Sequence, residues 1–120
     1  MNVQLRRGSA GTALVLVTLL AAAAGRGAET RLVKISAKRF SFTPAEVHVR
    51  KGETVVLELT SLDRVHGFDL PAFGIRTDIV PKEVTRVTLT PDKAGTFPFH
   101  CDVFCGDGHE DMTGTLIVTE

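Results

Sequence analysis

Beyond residue 29 the chain alternates apolar and polar positions in short runs. Over residues 31–38, Val33, Ile35 and Ala37 fall on one face and Leu32, Lys34 and Ser36 on the other, the period of a half-buried strand. Val47 and Val49 flank His48 in the same way, and Lys51-Gly52-Glu53 reads as a turn. Residues 54–60 are β-branched and leucine-rich, and residues 65–70 form a shorter apolar run. Residues 71–81, with two prolines and Gly74, read as a long connection. Residues 83–90 set Val87 and Leu89 against Arg86, Thr88 and Thr90, and strands at 96–100 and 115–119 complete the set. No amphipathic helix pattern interrupts them. Short strands separated by turn signals predict an all-β sandwich or barrel.

The first 25 residues follow a different rule. Arg6 and Arg7 precede an apolar run over 13–24, and small residues follow at 22–25. That is the form of a secretory signal peptide, and the run falls short of the roughly 20 apolar residues of a spanning helix. The organisation expected is a signal peptide over 1–25, with an uncleaved N-terminal anchor as the alternative, and one domain over 29–120. Membrane contact is expected only if the leader is retained. The chain carries 14 basic and 14 acidic residues, so losing Arg6 and Arg7 with the leader leaves a net charge of −2. The basic residues are scattered and Trp and Tyr are absent, which argues against a nucleic-acid surface. Export places the domain in the periplasm or another extracytoplasmic compartment, where two cysteines usually form a disulfide.

The cysteines, however, do not stand alone. Residues 101–112 read Cys101-x3-Cys105-x3-His109-x2-Met112. Two thiolates, an imidazole and a thioether are soft or borderline ligands, suited to copper and poor for magnesium or calcium. A disulfide would use the two sulfurs but gives no reason for His109 and Met112. Zinc would accept Cys101, Cys105, His109 and a second histidine but does not normally recruit a thioether, so Met112 tips the set toward copper. One loop rarely encloses a metal, and His66, at the start of the 65–70 run, is the candidate from elsewhere. His48 points away from the face of Val47 and Val49. His100 points to the side opposite Cys101.

These residues resemble a known family. Phe40-x-Phe42-x-Pro44 leading to Val47-x-Val49-x-x-Gly52, and Ala94-Gly95-Thr96-Phe97-x-Phe99-x-Cys101, are similar to the opening and the copper-cysteine approach of cupredoxins. His66-Gly67-Phe68-Asp69-Leu70-Pro71, then Gly74-Ile75-Arg76-Thr77-Asp78 and Pro81, resemble the copper-A domain of cytochrome c oxidase subunit II and nitrous oxide reductase. The second cysteine is what separates this pattern from a single-copper blue site. The resemblance implies a cupredoxin-like Greek-key β-sandwich holding two copper ions. It implies bridging thiolates at Cys101 and Cys105, with His66 on one copper and His109 on the other. Met112 would be the weak axial ligand of the His66 copper, and the backbone carbonyl of Val103 that of the other. Asp78 and the Gly67-Phe68 segment are the candidates for supporting the ligands.

The chain departs from subunit II at instructive points. Val103 stands where subunit II has an acidic residue and Phe68 where it has tryptophan, and no two-helix hairpin is expected before the domain. The expectation is a free-standing relative that carries single electrons between redox proteins, a cytochrome or an oxidase, and not an enzyme in its own right. The alternatives are a copper carrier or insertion factor serving a copper donor or acceptor protein, and a subunit II-like component of a terminal oxidase.

Overall fold

The structure, a computed structural model, describes residues 30–120. The proposed leader lies outside the described residues. Nine strands follow: β1 (Thr30–Lys38), β2 (Ser41–Thr43), β3 (Glu46–Arg50), β4 (Thr54–Ser61), β5 (His66–Leu70), β6 (Ile75–Ile79), β7 (Thr85–Leu89), β8 (Gly95–His100) and β9 (Thr113–Thr119). They form a four-stranded sheet in the order β2-β1-β4-β7 and a five-stranded sheet in the order β3-β9-β8-β5-β6. β1 runs parallel to β4, and β3 parallel to β9; the remaining ladders are antiparallel. The chain crosses between the sheets after β2, β3, β4, β6 and β7, so the two faces are laid down together. The all-β expectation is met. Among the described residues no helix is long and apolar enough to cross a membrane.

One expectation is corrected. Residues 71–81 are not a bare connection: a single 3-10 turn over Pro71–Phe73 leads into β6, an edge strand paired to β5 with Gly67 opposite Asp78 and Asp69 opposite Arg76. The turn prolines at 71 and 81 flank the strand without entering it, so the ladder is not interrupted. Alternation is present in Ile75-Arg76-Thr77-Asp78-Ile79: the charged Arg76 and Asp78 are exposed, while Ile75 and Thr77 are half-buried and Ile79 is buried.

Burial follows the period of two. Val55, Leu57 and Leu59 of β4 point inward, as do Val47 and Val49 of β3 and Leu116 and Val118 of β9. His48 lies between its two valines on the exposed face. At the centre, Phe42 from one sheet meets Phe68 and Phe99 from the other, with ring centroids 6.2 Å and 5.2 Å away, and Phe68 and Phe99 are 5.0 Å apart. These rings sit beneath the ends of β5 and β8, where His66 and Cys101 emerge. The aromatic core is therefore the floor of the loop region.

Phe99 keeps its place because Gly114, paired with it across the β8–β9 ladder, has no side chain. A Cβ at Gly114 would lie 2.2 Å from the Phe99 ring and 2.8 Å from the Ala45 carbonyl oxygen. A ring in a packed core gives way only with strain. Gly114→Ala is expected to lower stability by about 1–3 kcal/mol, read by urea unfolding of the reduced protein. A loss below about 0.5 kcal/mol, the range of neutral surface changes, would show that the ring moves aside freely.

Candidate metal centre

The loop between β8 and β9 is closed at its neck. The Cys101 N–H donates to the Met112 carbonyl at 3.1 Å, which extends the ladder one step past the strand ends. Inside the neck the chain folds on itself through N–H bonds from His109 to Gly106, Asp111 to Gly108 and Met112 to His109. The Phe40 ring packs where side chains at Gly106 and Gly108 would stand, 3.2 Å and 3.0 Å from the Cβ positions, and both glycines have positive φ. Loop and scaffold are thus fitted together from two sides.

This closure turns the donors inward. Cys101, Cys105, Met112 and His66 are all buried, and His109 is half-buried. The two cysteines are free, with sulfurs 3.9 Å apart. His66 Nδ1 lies 3.9 Å from the Cys101 sulfur and His109 Nδ1 3.5 Å from the Cys105 sulfur. Met112 Sδ lies 3.9 Å from the Cys105 sulfur, and the Val103 carbonyl oxygen 3.2 Å from that of Cys101. All six residues singled out in the sequence therefore converge. One donor atom each from His66, Cys101 and Cys105 falls within a mutual 4.8 Å, a spacing that could hold a metal ion. The chemistry of the set, two sulfurs with imidazole and thioether, fits copper.

Support for the ligands comes partly from residues that sequence reasoning did not single out. His66 is fully buried, and its Nε2 bonds the Asp63 carboxylate at 2.7 Å. An ionised carboxylate only accepts, so Nε2 carries the proton and Nδ1 keeps its lone pair for a metal. Asp63 is itself fixed by the backbone N–H groups of Arg39 at 2.8 Å and Arg64 at 2.7 Å. Burial alone would raise the Asp63 pKa, but these two donors and His66 outweigh it and hold the carboxyl at about 2. Arg64 also donates from Nη1 to the Cys105 carbonyl at 3.4 Å. Burial pushes the Cys105 thiol up, and the neighbouring Cys101 adds to the shift.

Of the sequence candidates for support, Gly67 is in place: its N–H donates to the Cys101 sulfur at 3.3 Å. Phe68 serves the aromatic core. Asp78 touches no ligand and instead pairs with Arg76 at 2.6 Å. His100 points away from the site and pairs with Asp69 at 3.2 Å.

The cupredoxin-like domain family matches residues 11–118. Cytochrome c oxidase subunit 2 of Thermus thermophilus is 34% identical over 88 residues, 73% of this chain and 65% of that protein. Nitrous-oxide reductase of Cupriavidus necator is 36% identical over 90 residues, 72% of this chain but 14% of that protein. The chain thus spans less than two thirds of the length of these relatives. Among solved structures, the periplasmic domain of subunit II of cytochrome oxidase of Bradyrhizobium japonicum superposes with a TM-score of 0.69 at 22% identity. That superposition covers 75% of this chain and 84% of the other, and it shows a common fold. Strand order, loop closure and family match agree, and the chain belongs to the cupredoxin-like domain family.

Proposed function

We propose that this protein is an exported electron carrier with a binuclear copper-A-type centre, which passes single electrons between redox proteins. The observation that carries the reading is the pair of sulfurs 3.9 Å apart with an imidazole Nδ1 beside each. A single-copper site has no use for the second thiol. Cys101 and Cys105 would bridge two coppers, His66 and His109 would each hold one, and Met112 and the Val103 carbonyl would be the weak ligands. Copper bound there would supply a one-electron couple shared between two metals.

The protein's own part is to hold the donors still. Asp63 fixes the ring of His66, Gly67 donates to Cys101, and Phe40 braces the loop from outside. Ligands held by hydrogen bonds and packing reorganise little between charge states, which favours fast transfer. Phe104, between the cysteines, is 69% exposed, with its ring 5.8 Å from that of His109. In this reading it presents an apolar contact to a cytochrome or oxidase partner directly over a ligand, flanked by the exposed Asp107, Glu110 and Asp111.

Loading the reduced protein lacking residues 1–25 with copper tests the centre. Two coppers per chain are expected, with an electron paramagnetic resonance spectrum split by two equivalent copper nuclei. One copper per chain with a single-nucleus spectrum would overturn the binuclear reading and favour a copper carrier in which one cysteine is spare.

The support around His66 has its own test. The folded pKa of Asp63, about 2, lies below its ordinary 3.8. The stability it contributes is therefore complete above about pH 4 and is lost as pH falls toward about 2. In reduced, copper-free protein, Asp63→Asn is expected to remove about 1 kcal/mol at pH 6, after allowance for screening at a part-exposed carboxylate. It should also flatten the fall in stability between pH 4 and 2. An unchanged acid limb in urea titrations would show that Asp63 does not anchor the ring.

A further inference from the structure

The outer face of the five-stranded sheet carries a connection that the ligand set does not account for. Arg76 stands on edge strand β6, and β5 lies between it and β8, the strand that ends at the ligand loop. The Arg76 guanidinium nevertheless reaches Asp102, the residue after Cys101. It donates from Nε to Oδ2 at 2.6 Å and from Nη2 to Oδ1 at 2.9 Å. Asp78, two residues along the same face of β6, pairs with Nη1 at 2.6 Å and holds the guanidinium from the other side. Both ends of the planar fork are thus engaged, a geometry open to arginine and closed to a point charge such as lysine.

The fork passes over β5 at a residue without a side chain. A Cβ at Gly67 would lie 1.8 Å from Asp102 Oδ1 and 3.0 Å from the Asp102 backbone nitrogen. Asp102 therefore lies directly on Gly67, which is buried as a result. Gly67 is also the residue whose N–H donates to the Cys101 sulfur at 3.3 Å. The carboxylate that Arg76 holds is the cover over that hydrogen bond.

We propose that Arg76 and Asp102 form a strap that seats the ligand loop on β5, excludes water from the Gly67 N–H···Cys101 contact, and so sets the reduction potential of the centre. Both are positioning residues: neither offers an atom to the metal. An N–H directed at a thiolate draws electron density from sulfur and favours the reduced state, so keeping it dry and short raises the potential. The ion pair is itself part-exposed, and a pair of this kind adds little to global stability. Its effect is concentrated on the contact beneath it.

The effect on potential rests on the copper reading above, whereas the seating of the loop does not. The test accordingly has one arm without metal. In reduced, copper-free protein, amide hydrogen exchange is followed by nuclear magnetic resonance at Gly67 and, as a remote reference, at Val118. Asp102→Ala and Arg76→Met are each expected to speed exchange at Gly67 roughly three- to tenfold, the size set by losing a two-bond ion pair, with Val118 unchanged. Arg76→Lys should fall between them and the unaltered protein. In copper-loaded protein the potential should drop in the same order. Unchanged exchange at Gly67, or equal acceleration at Gly67 and Val118, would overturn the strap. Faster exchange at Gly67 with an unmoved potential would overturn its role in tuning. If two coppers fail to bind, the binuclear reading falls, while the copper-free arm still decides whether the strap exists.

Discussion

Two thiols buried 3.9 Å apart set the terms for everything around them. Burial pushes the Cys105 thiol up, and the nearby Cys101 adds to the shift. Positive charge between the sulfurs opposes that shift. A metal cation bound there would supply that charge and displace thiol protons, coupling its binding to the state of the loop. The neighbouring groups suit such a cation. His66 and His109 offer nitrogen lone pairs, Met112 a thioether and Val103 a carbonyl, and no carboxylate is among the donors.

The sandwich makes this possible by dividing the work. The aromatic core of Phe42, Phe68 and Phe99 fixes the ends of β5 and β8 relative to each other, and those ends carry His66 and Cys101. The remaining donors arrive on one loop whose neck is a backbone hydrogen bond between the residues that open and close the set, Cys101 and Met112. The loop contributes ligand spacing, and the strands contribute position. Function concentrated on a loop held by a rigid scaffold is a common solution. Here the loop is short, bonded within itself, and packed closely by Phe40.

Much of this was legible in the sequence, for physical reasons. Candidate donors on one loop keep their sequence spacing, so the grouping of Cys101, Cys105, His109 and Met112 is visible in the sequence. Strands announced themselves by the period of two, and the gaps arose where punctuation outweighed it. Pro71, Gly74 and Pro81 made residues 71–81 read as a connection, although Ile75-Arg76-Thr77-Asp78-Ile79 alternates as an edge strand should. Support for the ligands was less legible. Asp63 precedes His66 by three residues, a spacing that means contact on a helix but nothing in an extended chain; only the turn into β5 brings them to 2.7 Å. Arg76 and Asp102 are separated by 26 positions, and no local pattern links them. Asp78 pairs with Arg76 and makes no direct contact with the candidate donors, a placement that local sequence does not show.

That division follows from how side chains meet. A donor set is dictated by the metal, so its residue types carry the signal wherever they lie. A supporting contact is dictated by the fold, and many residue types can serve. Gly67 shows both constraints at one position. Its N–H must face the Cys101 sulfur, which any residue but proline could satisfy. Its missing side chain is required by Asp102, which lies where a Cβ would stand. The glycine is explained only when a side chain from the loop after β8 is brought over it, and that placement is tertiary information. The donor pattern is a matter of residue types in sequence, whereas the contact made across β5 is a matter of which residues the fold brings together.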